Sequence, residues 1–577
     1  MTEWTKIDGR RSIKGKFWSI RPDVDHVTPD GIHPAAARLA AARGFDPNTF
    51  FSPSLRDAMP DPHSLKGMEE AIERFCEAVR SGRRIAIYGD YDVDGATSTA
   101  LVLRWLQAMG VETVFYIPDR LKEGYGPNAD AIRRLHEEEG IEFLLVLDSG
   151  TTAHEPLGVA ASLGMEIVII DHHEPDDRQP PGTLVNPKRQ DEDRRLDYLC
   201  TAGLAFLFLV GVQRRMRETG FFNDERPAVD LREWLGIVAL GTIADVVPLR
   251  GLNRAYVALG LPRMGEVLGL RLLSLAAGEE NFTTQTCGFV FGPCINASGR
   301  IGDTRLGTIL LATDDQETAE NIARTLVETN RERQELQRKI VDDALDRARS
   351  MESDPVIVMG DESWHPGVVG LVASRVKDLM DRPAVIIGAG GTASCRSVDG
   401  FDIGQAVIAA REAGLLVKGG GHAAAAGLTV EPHRVDDLRR FLGERAKGFV
   451  HPPVVVDLAV PCGELTPDLI DALDRMQPFG VGNQKPRIAL TRGWVKRSRV
   501  LKEAHLKLIL TGPSGETEAM LWKAIGTPLG DALVGTEGRY VDILGTAKID
   551  EYGGRRRATL VIEDAILGAP LSEELAA

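Results

Sequence analysis

The stretch IYGDYDVDGATSTAL, residues 87–101, sets Asp90, Asp92 and Asp94 at alternate positions and follows them with Gly95. Upstream, RRIAIY is a short apolar run bounded by SGRR and reads as a buried strand. Downstream, GATSTALVLRWLQAMG carries apolar residues at helical spacing. The unit is therefore strand, acidic turn, helix. In a parallel α/β sheet, ligands bind outside the carboxyl ends of the strands, and the carboxylates sit there. An EF-hand loop begins with the same spacing. It fails here because the twelfth position counted from Asp90 is Leu101, where a bidentate Glu is needed. A solvated acidic turn is the plain alternative, but three neighbouring like charges cost energy unless a cation balances them.

The same placement recurs along the chain. EFLLVLDSG reads as a strand ending in Asp148, and MEIVIIDHHEP as a strand ending in Asp171, His172 and His173. LREWLGIVALGTIADVVPL reads as an apolar helix leading into a loop that carries Asp245. The collected set is Asp90, Asp92, Asp94, Asp148, His172, His173 and Asp245. Mixed carboxylate and imidazole ligands suit manganese or magnesium, with some tolerance for zinc or iron. The set exceeds what one ion needs. Two ions about 3.5–4 Å apart, bridged by one carboxylate, would clamp phosphoryl oxygens and activate a water. The triplet Asp171-His172-His173 alone could equally be a hydrogen-bonded loop; the acidic turn and Asp148 carry the metal reading.

Length and composition bound the rest. The 577 residues suffice for about three or four domains. Apolar runs such as LAFLFLVGV are too short to span a bilayer. The first residues, MTEWTKIDGRRSIKGKFW, lack the apolar core of a signal peptide. Six scattered cysteines with no CxxC pair indicate neither a disulfide framework nor a zinc site. The expectation is a soluble cytoplasmic chain. A net charge of −16 argues, taken alone, against nucleic-acid binding. Locally the balance inverts: between Thr491 and Leu510 there are six basic residues and one acid.

The pattern divides as follows. Residues 1–70 read as an extension packed on the first domain, and 71–305 as an α/β domain. Residues 306–352 read as a long, charged connecting helix, since so polar a helix usually bridges domains. Residues 353–448 form a second, smaller α/β domain. Residues 449–570 hold short strands and glycine turns consistent with a small β-barrel.

The second α/β region offers anion-binding candidates. GGGH, residues 419–422, before the run Ala423–Ala426 resembles a glycine-rich loop opening a helix, where bare amides favour an anion; it reads equally as a tight turn. SCRS supplies Ser394 and Arg396, donors suited to a phosphate. Arg300 in INASGRIGD and Arg120 in YIPDRLKEGYG are further candidates, against the commoner surface role of any single arginine. In RGWVKRSRVLKEAHLKL, Trp494 lies among Arg492, Lys496, Arg497 and Arg499. An aromatic can stack a base while basic residues track a phosphodiester backbone; a charged barrel face with Trp494 in the core explains the stretch as well.

YGDYDVDG, LDSG, DHH and GTIADVVPL, in this order, resemble the four motifs of the DHH phosphoesterase superfamily. INASGRIGD, WHPGVVGLVASR, SCRSVDGFD and GGGHAAAAG resemble further motifs of its RecJ branch of single-strand-specific 5′-to-3′ DNA exonucleases. MQPFGVGNQKPR, residues 476–487, resembles the opening of that branch's OB-fold domain. The resemblance implies a parallel-sheet DHH domain joined by a long helix to a smaller α/β DHH-associated domain, with a C-terminal OB-fold β-barrel. It also implies an active site in the cleft between the two lobes.

Carried over motif by motif, Asp92, Asp94, Asp148, His172 and Asp245 would ligate two Mn²⁺ or Mg²⁺ ions, with Asp148 bridging. Asp90 lies in the same motif, to ligate or to orient. His173 and Arg300 would hold the scissile phosphate. Arg120, Ser394 and Arg396 would recognise the 5′-phosphate end, with His422, Gly420 and Gly421 lining the same cleft. Trp494 and Arg497 would belong to the barrel's grip on the strand. Tyr88 stands where much of the superfamily has a metal-binding histidine, which moves the weight to Asp90.

The implied activity is stepwise release of mononucleotides from single-stranded DNA in repair and recombination. A single-strand-binding protein and a RecQ-type helicase are the implied partners. The alternatives are a DHH phosphodiesterase acting on short oligoribonucleotides or cyclic dinucleotides, and a non-catalytic DNA-binding scaffold of the same fold.

Overall fold

All four residues of the strand Ile85–Tyr88 are buried. A strand buried on both faces belongs inside a parallel sheet covered by helices. The computed structural model describes residues 5–6, 9–120, 122–224, 226–351, 353–552 and 554–568. Residues 1–4, 7–8, 121, 225, 352, 553 and 569–570 of the ranges expected above lie outside them. The first sheet runs in the order Thr113–Tyr116, Ile85–Tyr88, Phe143–Leu147, Glu166–Ile170, Thr183–Val185, every pair parallel. Chain order reverses beside Ile85–Tyr88: the next strand in sequence lies on one side and the following one on the other. A crevice opens at the carboxyl edge of such a switch point.

Helices Met68–Ser81, Val93–Ala108 and Thr201–Glu218 cover one face through a core that includes Phe75, Trp105 and Phe208. Helices Ala129–Glu137 and His154–Ser162 cover the other through Ile132, Leu135, Leu157 and Ala160.

The expected connecting helix is two helices. Leu306–Ala312 ends at Thr313, and Gln316–Ala348 begins anew three residues on. Arg104 holds the break by donating to the Leu311 carbonyl (2.7 Å) and pairing with Asp314 (2.8 Å). The Asp315 carboxylate then accepts from the Thr318 amide and starts the second helix. At 33 residues that helix is about 50 Å long. Its first half buries Ala319, Ile322 and Leu326 in the first domain's core, and its second half buries Ile340, Val341 and Ala344 in the second's.

The second domain carries a five-stranded sheet in the order Lys418–His422, Ala425–Thr429, Thr392–Arg396, Ala384–Ile387, Ile357–Gly360. Only its last pair is parallel. This corrects the reading of residues 419–426 as a loop opening a helix. Lys418–His422 and Ala425–Thr429 are paired strands of a hairpin, with Gly421 opposite Ala426 and His422 opposite Ala425. A Cβ on Gly421 would lie 2.4 Å from Ala426 Cα, so only glycine fits. Pairing with Thr392–Arg396 overrides the helix propensity of alanine.

The C-terminal barrel is built from Arg487–Leu501, His505–Gly512, Gly515–Leu521, Tyr540–Tyr552 and Arg555–Leu567, and closes through the first and fourth of these. The chain's first segment joins it, which corrects the expectation that residues 1–70 pack on the first domain. Trp18–Ile20 pairs in parallel with Val454–Val456, and helix Pro34–Ala42 buries Ala36, Leu39 and Ala40 in the barrel core. From about Leu55 side chains join the first domain's hydrophobic core. Trp18 is wholly buried, and its indole N–H donates to Asp564 (3.2 Å). Arg21 and Arg43 pair with the nearly buried Asp457.

Trp18→Ala removes a large core side chain and one donor to buried Asp564. It is predicted to destabilise the barrel by about 3–5 kcal/mol, read from urea unfolding of the full chain. An unchanged midpoint would show that the first segment is not part of the barrel core.

Candidate metal centre and active site

Each acid is placed by a short local device. Asp92 caps helix Val93–Ala108; its Oδ1 accepts from the amides of Asp94 (2.9 Å) and Gly95 (3.0 Å). Gly95 sits so close to Asp90 that a Cβ there would lie 2.5 Å from the Asp90 carbonyl. Asp94 turns to the opposite helix start, where the amides of Thr201 (2.6 Å) and Ala202 (2.8 Å) donate to its two oxygens. Asp148 follows strand Phe143–Leu147 in the left-handed region (φ 61°), a conformation Asp tolerates better than most residues. Its Oδ1 accepts from the Thr201 hydroxyl (2.8 Å). Asp245 follows helix Leu235–Ala244, and left-handed Val246 (φ 61°) turns the chain away after it.

These groups converge on His172. Its Nε2 lies 3.7 Å from Asp94 Oδ2, 3.6 Å from Asp148 Oδ1 and 3.6 Å from Asp245 Oδ2. Three overlapping sets have ligand atoms within 4.8 Å of one another: Asp90, Asp92 and Asp148; Asp94, His172 and Asp245; and Asp148, His172 and His173. Asp148 belongs to two of them, as a bridging carboxylate would.

The electrostatics fit divalent cations. Burial, then the neighbouring Asp92, pushes Asp90 up to about 8. Burial, then Asp94 and Asp92, pushes Asp245 up to about 9. Asp148 is driven well above the usual carboxylate range by burial and by Asp94, Asp92, Asp90 and Asp245. Asp90 Oδ1 and Asp245 Oδ2 are buried without a hydrogen-bond partner. Buried carboxylates this close need a cation or a proton. His172 is held neutral by burial, against the pull of Asp94, and a neutral imidazole is the ligating form.

His173 is held differently. Its Nδ1 lies 2.7 Å from Asp171 Oδ1, and Asp171 also accepts from the amides of His172 (2.7 Å) and Thr151 (3.0 Å). Burial lowers the His173 pKa, but the hydrogen bond and charge of Asp171 outweigh it and raise it overall. The Tyr125 hydroxyl donates to the Asp148 carbonyl (2.9 Å) and lies 3.0 Å from His173 Nδ1. Tyr88, by contrast, is outside the cluster. Its hydroxyl donates to the Gly126 carbonyl (3.2 Å) within the sheet's other core.

Across the acids lies a group of arginines. Arg300, at the end of helix Gly292–Ile301, donates to the Gly367 carbonyl of the second lobe (2.8 Å). Burial, then the charges of Arg120, Arg333 and Arg396, lowers its pKa to about 10, so it stays cationic at neutral pH. Arg120 lies 5.2 Å from the Tyr91 ring centre, beside the acidic turn. Ser394 and Arg396 share strand Thr392–Arg396 and both face Gly370, where a Cβ would meet Ser394 Oγ at 3.0 Å and the Arg396 guanidinium at 3.3 Å. Arg333, from the long helix, lines a cavity of about 110 Å³ together with Arg300 and Asn296.

The sequence reading missed Asp171 as the partner of His173, Thr201 as the donor to Asp94 and Asp148, Tyr125, and Arg333. Asp171 stands in the quoted triplet, so its signal was present; the others show only in three dimensions. His422, Gly420 and Gly421 lie on the outer strand of the second domain's hairpin and join none of the ligand sets. Trp494 and Arg497 lie on barrel strand Arg487–Leu501. Trp494 is half-buried against Tyr540 (ring centres 5.1 Å), and Arg497 is exposed. The barrel's more exposed aromatic is Trp522, half in solvent, with His505 edge-on at 5.0 Å and Lys548 at 5.5 Å from its ring centre.

Comparison with known proteins agrees with this arrangement. Residues 84–242 match the DHH family, N-terminal domain; residues 353–448 match the DHHA1 domain; and residues 456–564 match the RecJ OB domain. The chain is 34% identical to the single-stranded-DNA-specific exonuclease RecJ of Bacillus subtilis (strain 168), over 95% of this chain and 70% of that one. It is 30% identical to the RecJ of Escherichia coli (strain K12), over 96% of this chain and 99% of that one. A crystal structure of RecJ in complex with Mn²⁺ from Thermus thermophilus superposes with a TM-score of 0.79 at 30% identity, covering 96% of this chain and 80% of that one. A Mg²⁺ complex from the same source gives 0.71 at 27% identity, over 95% and 78%. The cluster of acids and histidines at the sheet's carboxyl edge, the lobe across from it and the barrel beyond therefore belong to one family, and the chain is a member of the RecJ single-stranded-DNA-specific exonucleases.

Proposed function

We propose that the chain is a metal-dependent 5′-to-3′ exonuclease that releases mononucleotides from single-stranded DNA. The observation that carries this reading is the convergence of five carboxylates and His172 at the switch point, opposite Arg300, Arg396 and Ser394. Asp90, Asp92, Asp94, Asp148, His172 and Asp245 would hold two Mn²⁺ or Mg²⁺ ions. Such ions, when bound, offset the carboxylate charge, polarise phosphoryl oxygens and make a water acidic enough to attack.

The chain's own residues supply the rest. His173, its proton affinity raised by Asp171, would hold the scissile phosphate and offer a proton to the departing oxygen. Asp171 and Tyr125 are positioning residues for that imidazole. Arg300 would bind the same phosphate, its charge strengthened by the low dielectric of its surroundings. Arg120, Arg396 and Ser394 would take the terminal 5′-phosphate. Seating that end there brings the first internucleotide bond to the acids, which yields one nucleotide per turnover. A cleft bridged by Arg300 and Gly367 would admit one strand and exclude a duplex. Beyond the cleft, Trp494, Arg497, Trp522 and Lys548 offer stacking faces and cations to the strand that follows.

No helix among the described residues is long and apolar enough to cross a membrane. A cytoplasmic setting suits a DNA substrate. A single-strand-binding protein and a RecQ-type helicase are the proposed partners, since they hold and generate single strands.

Asn fits both the left-handed backbone at position 148 and the Thr201 hydroxyl. Asp148→Asn is therefore predicted to fold and to lose at least about a thousandfold in turnover, because several kcal/mol of transition-state stabilisation goes with the ions. A 5′-phosphorylated single strand, its duplex and a cyclic dinucleotide, each with Mn²⁺, form the assay. Mononucleotide release from the single strand alone supports the reading; retained turnover in the variant, or cleavage of the cyclic dinucleotide alone, contradicts it.

The folded-state pKa values of Asp90 (about 8) and Asp245 (about 9) lie above their ordinary value of 3.8. The metal-free folded chain thus holds protons that the unfolded chain has released, and its stability falls as pH rises from about 4 through about 9. Mn²⁺ is predicted to raise the melting temperature more at pH 9 than at pH 5. An equal shift at both values contradicts the cluster electrostatics.

Trp522→Ala is predicted to weaken single-strand binding about tenfold in chelator, from the loss of one stacked base, and Trp494→Ala by less. Unchanged binding in Trp522→Ala would remove that face from the strand's path.

A further inference from the structure

Asp245 differs from Asp92, Asp94 and Asp148 in how it is held. Asp92 and Asp94 accept backbone amides, and Asp148 accepts the Thr201 hydroxyl. The Asp245 carboxylate accepts no hydrogen bond among the described residues, and its buried Oδ2 is unpartnered. With no hydrogen bond to its carboxylate, its position depends on the backbone on either side of it. On one side that backbone is the last turn of helix Leu235–Ala244, where the Asp245 amide donates to the Gly241 carbonyl (2.9 Å). On the other side is the loop 246–250, which turns at left-handed Val246 and leaves it exposed.

What fixes that loop comes from the barrel module, more than 200 residues later. The Leu249 amide donates to the Val481 carbonyl (2.7 Å). Gly480 packs on the Leu249 side chain, so that a Cβ there would lie 2.7 Å from Leu249 Cδ1. Gly482, left-handed at φ 74°, lies over Pro248, its Cβ position 3.2 Å from Pro248 Cβ. The turn is itself rigid. Gly480 and Asn483 exchange amide-to-carbonyl hydrogen bonds (3.0 and 3.1 Å). Buried Asn483 donates to the carbonyls of Met476 (2.8 Å) and Pro478 (2.9 Å), and accepts from Arg43 (2.8 Å). From the other side, Arg254 donates to the carbonyls of Gln477 (2.8 Å) and Phe50 (3.1 Å), with its guanidinium over the Phe50 ring at 3.6 Å. Asn253 ties the Pro248 carbonyl (3.1 Å) to the same helix.

We propose that the turn 478–483 of the barrel module is a clamp that positions Asp245, so that the barrel sets the affinity of the metal site as well as gripping the strand. This rests on the reading of Asp245 as a metal ligand. Gly480, Val481 and Gly482 are positioning residues; none reaches the cluster. The coupling is reciprocal: if the docked turn strengthens metal binding, bound metal strengthens the docking of the turn by the same factor.

The test uses the full-length chain and Mn²⁺ alone, titrated by calorimetry without DNA. Gly480→Val wedges a side chain between turn and loop without touching the cluster. It is expected to weaken the Mn²⁺ site that includes Asp245 about tenfold, the usual scale for losing support of a ligand. Strand hydrolysis should then need about tenfold more Mn²⁺ for half-maximal rate. Asp245→Asn run beside it separates the two layers. If Asp245→Asn weakens Mn²⁺ binding and Gly480→Val leaves the isotherm unchanged, the clamp is overturned. If Asp245→Asn itself has no effect, the ligand assignment beneath it falls. Hydrogen exchange on the unsubstituted chain needs no variant: Mn²⁺ should slow exchange in 245–250 and in 478–483 together. Protection confined to 245–250 would overturn the clamp.

Discussion

The mutual repulsion of five carboxylates and its relief by cations is the constraint on which the rest of the molecule depends. Asp90, Asp92, Asp148 and Asp245 lie deep enough, and close enough to one another and to the Asp94 charge, for their proton affinity to be raised. No chain would gather them without help. The fold supplies help in two forms. Helix starts at Asp92 and Thr201 point amides at the acids. The parallel sheet brings two strand ends side by side at its switch point, so residues far apart in sequence meet. What remains unneutralised, notably the unpartnered oxygens of Asp90 and Asp245, is the demand for divalent ions.

The other parts answer to that centre. A cleft of acids would repel a polyanion, and Arg120 and Arg300 of the first domain, with Arg396 of the second lobe, offset this. The long helix spans both cores and fixes the distance between the walls. The first fifty residues lock the barrel from below through Trp18, Arg21 and Arg43, and Phe50 hands the lock to Arg254 of the first domain. Barrel, first segment and catalytic domain thus close into a ring whose joint lies beside the Asp245 loop.

Much of this was legible in the sequence, wherever the signal is local. The strand, acidic turn and helix around Asp92 declare themselves within fifteen residues, because capping and periodicity act over one or two turns. Asp148, His172 and Asp245 read as ligands since each follows an apolar run. The failures have physical causes. Residues 419–426 lack side chains large enough to show a period of two, and their strand character comes from pairing with Thr392–Arg396. The first segment carries no local sign of the barrel it joins because its partners are distant: Trp18 meets Asp564 across 546 positions. Thr201 and Tyr125 are ordinary residues in their own stretches, and only the folded geometry turns them toward Asp148. Arg333 sits in a highly charged helix, where an arginine reads as surface.

Crystals of the full-length chain grown with Mn²⁺ and measured near the manganese edge test the central claim most directly. Two anomalous peaks about 3.5–4 Å apart, with Asp148 between them and Asp245 on one, are the predicted result. A map with no peak among these carboxylates, the side chains otherwise in place, would contradict it.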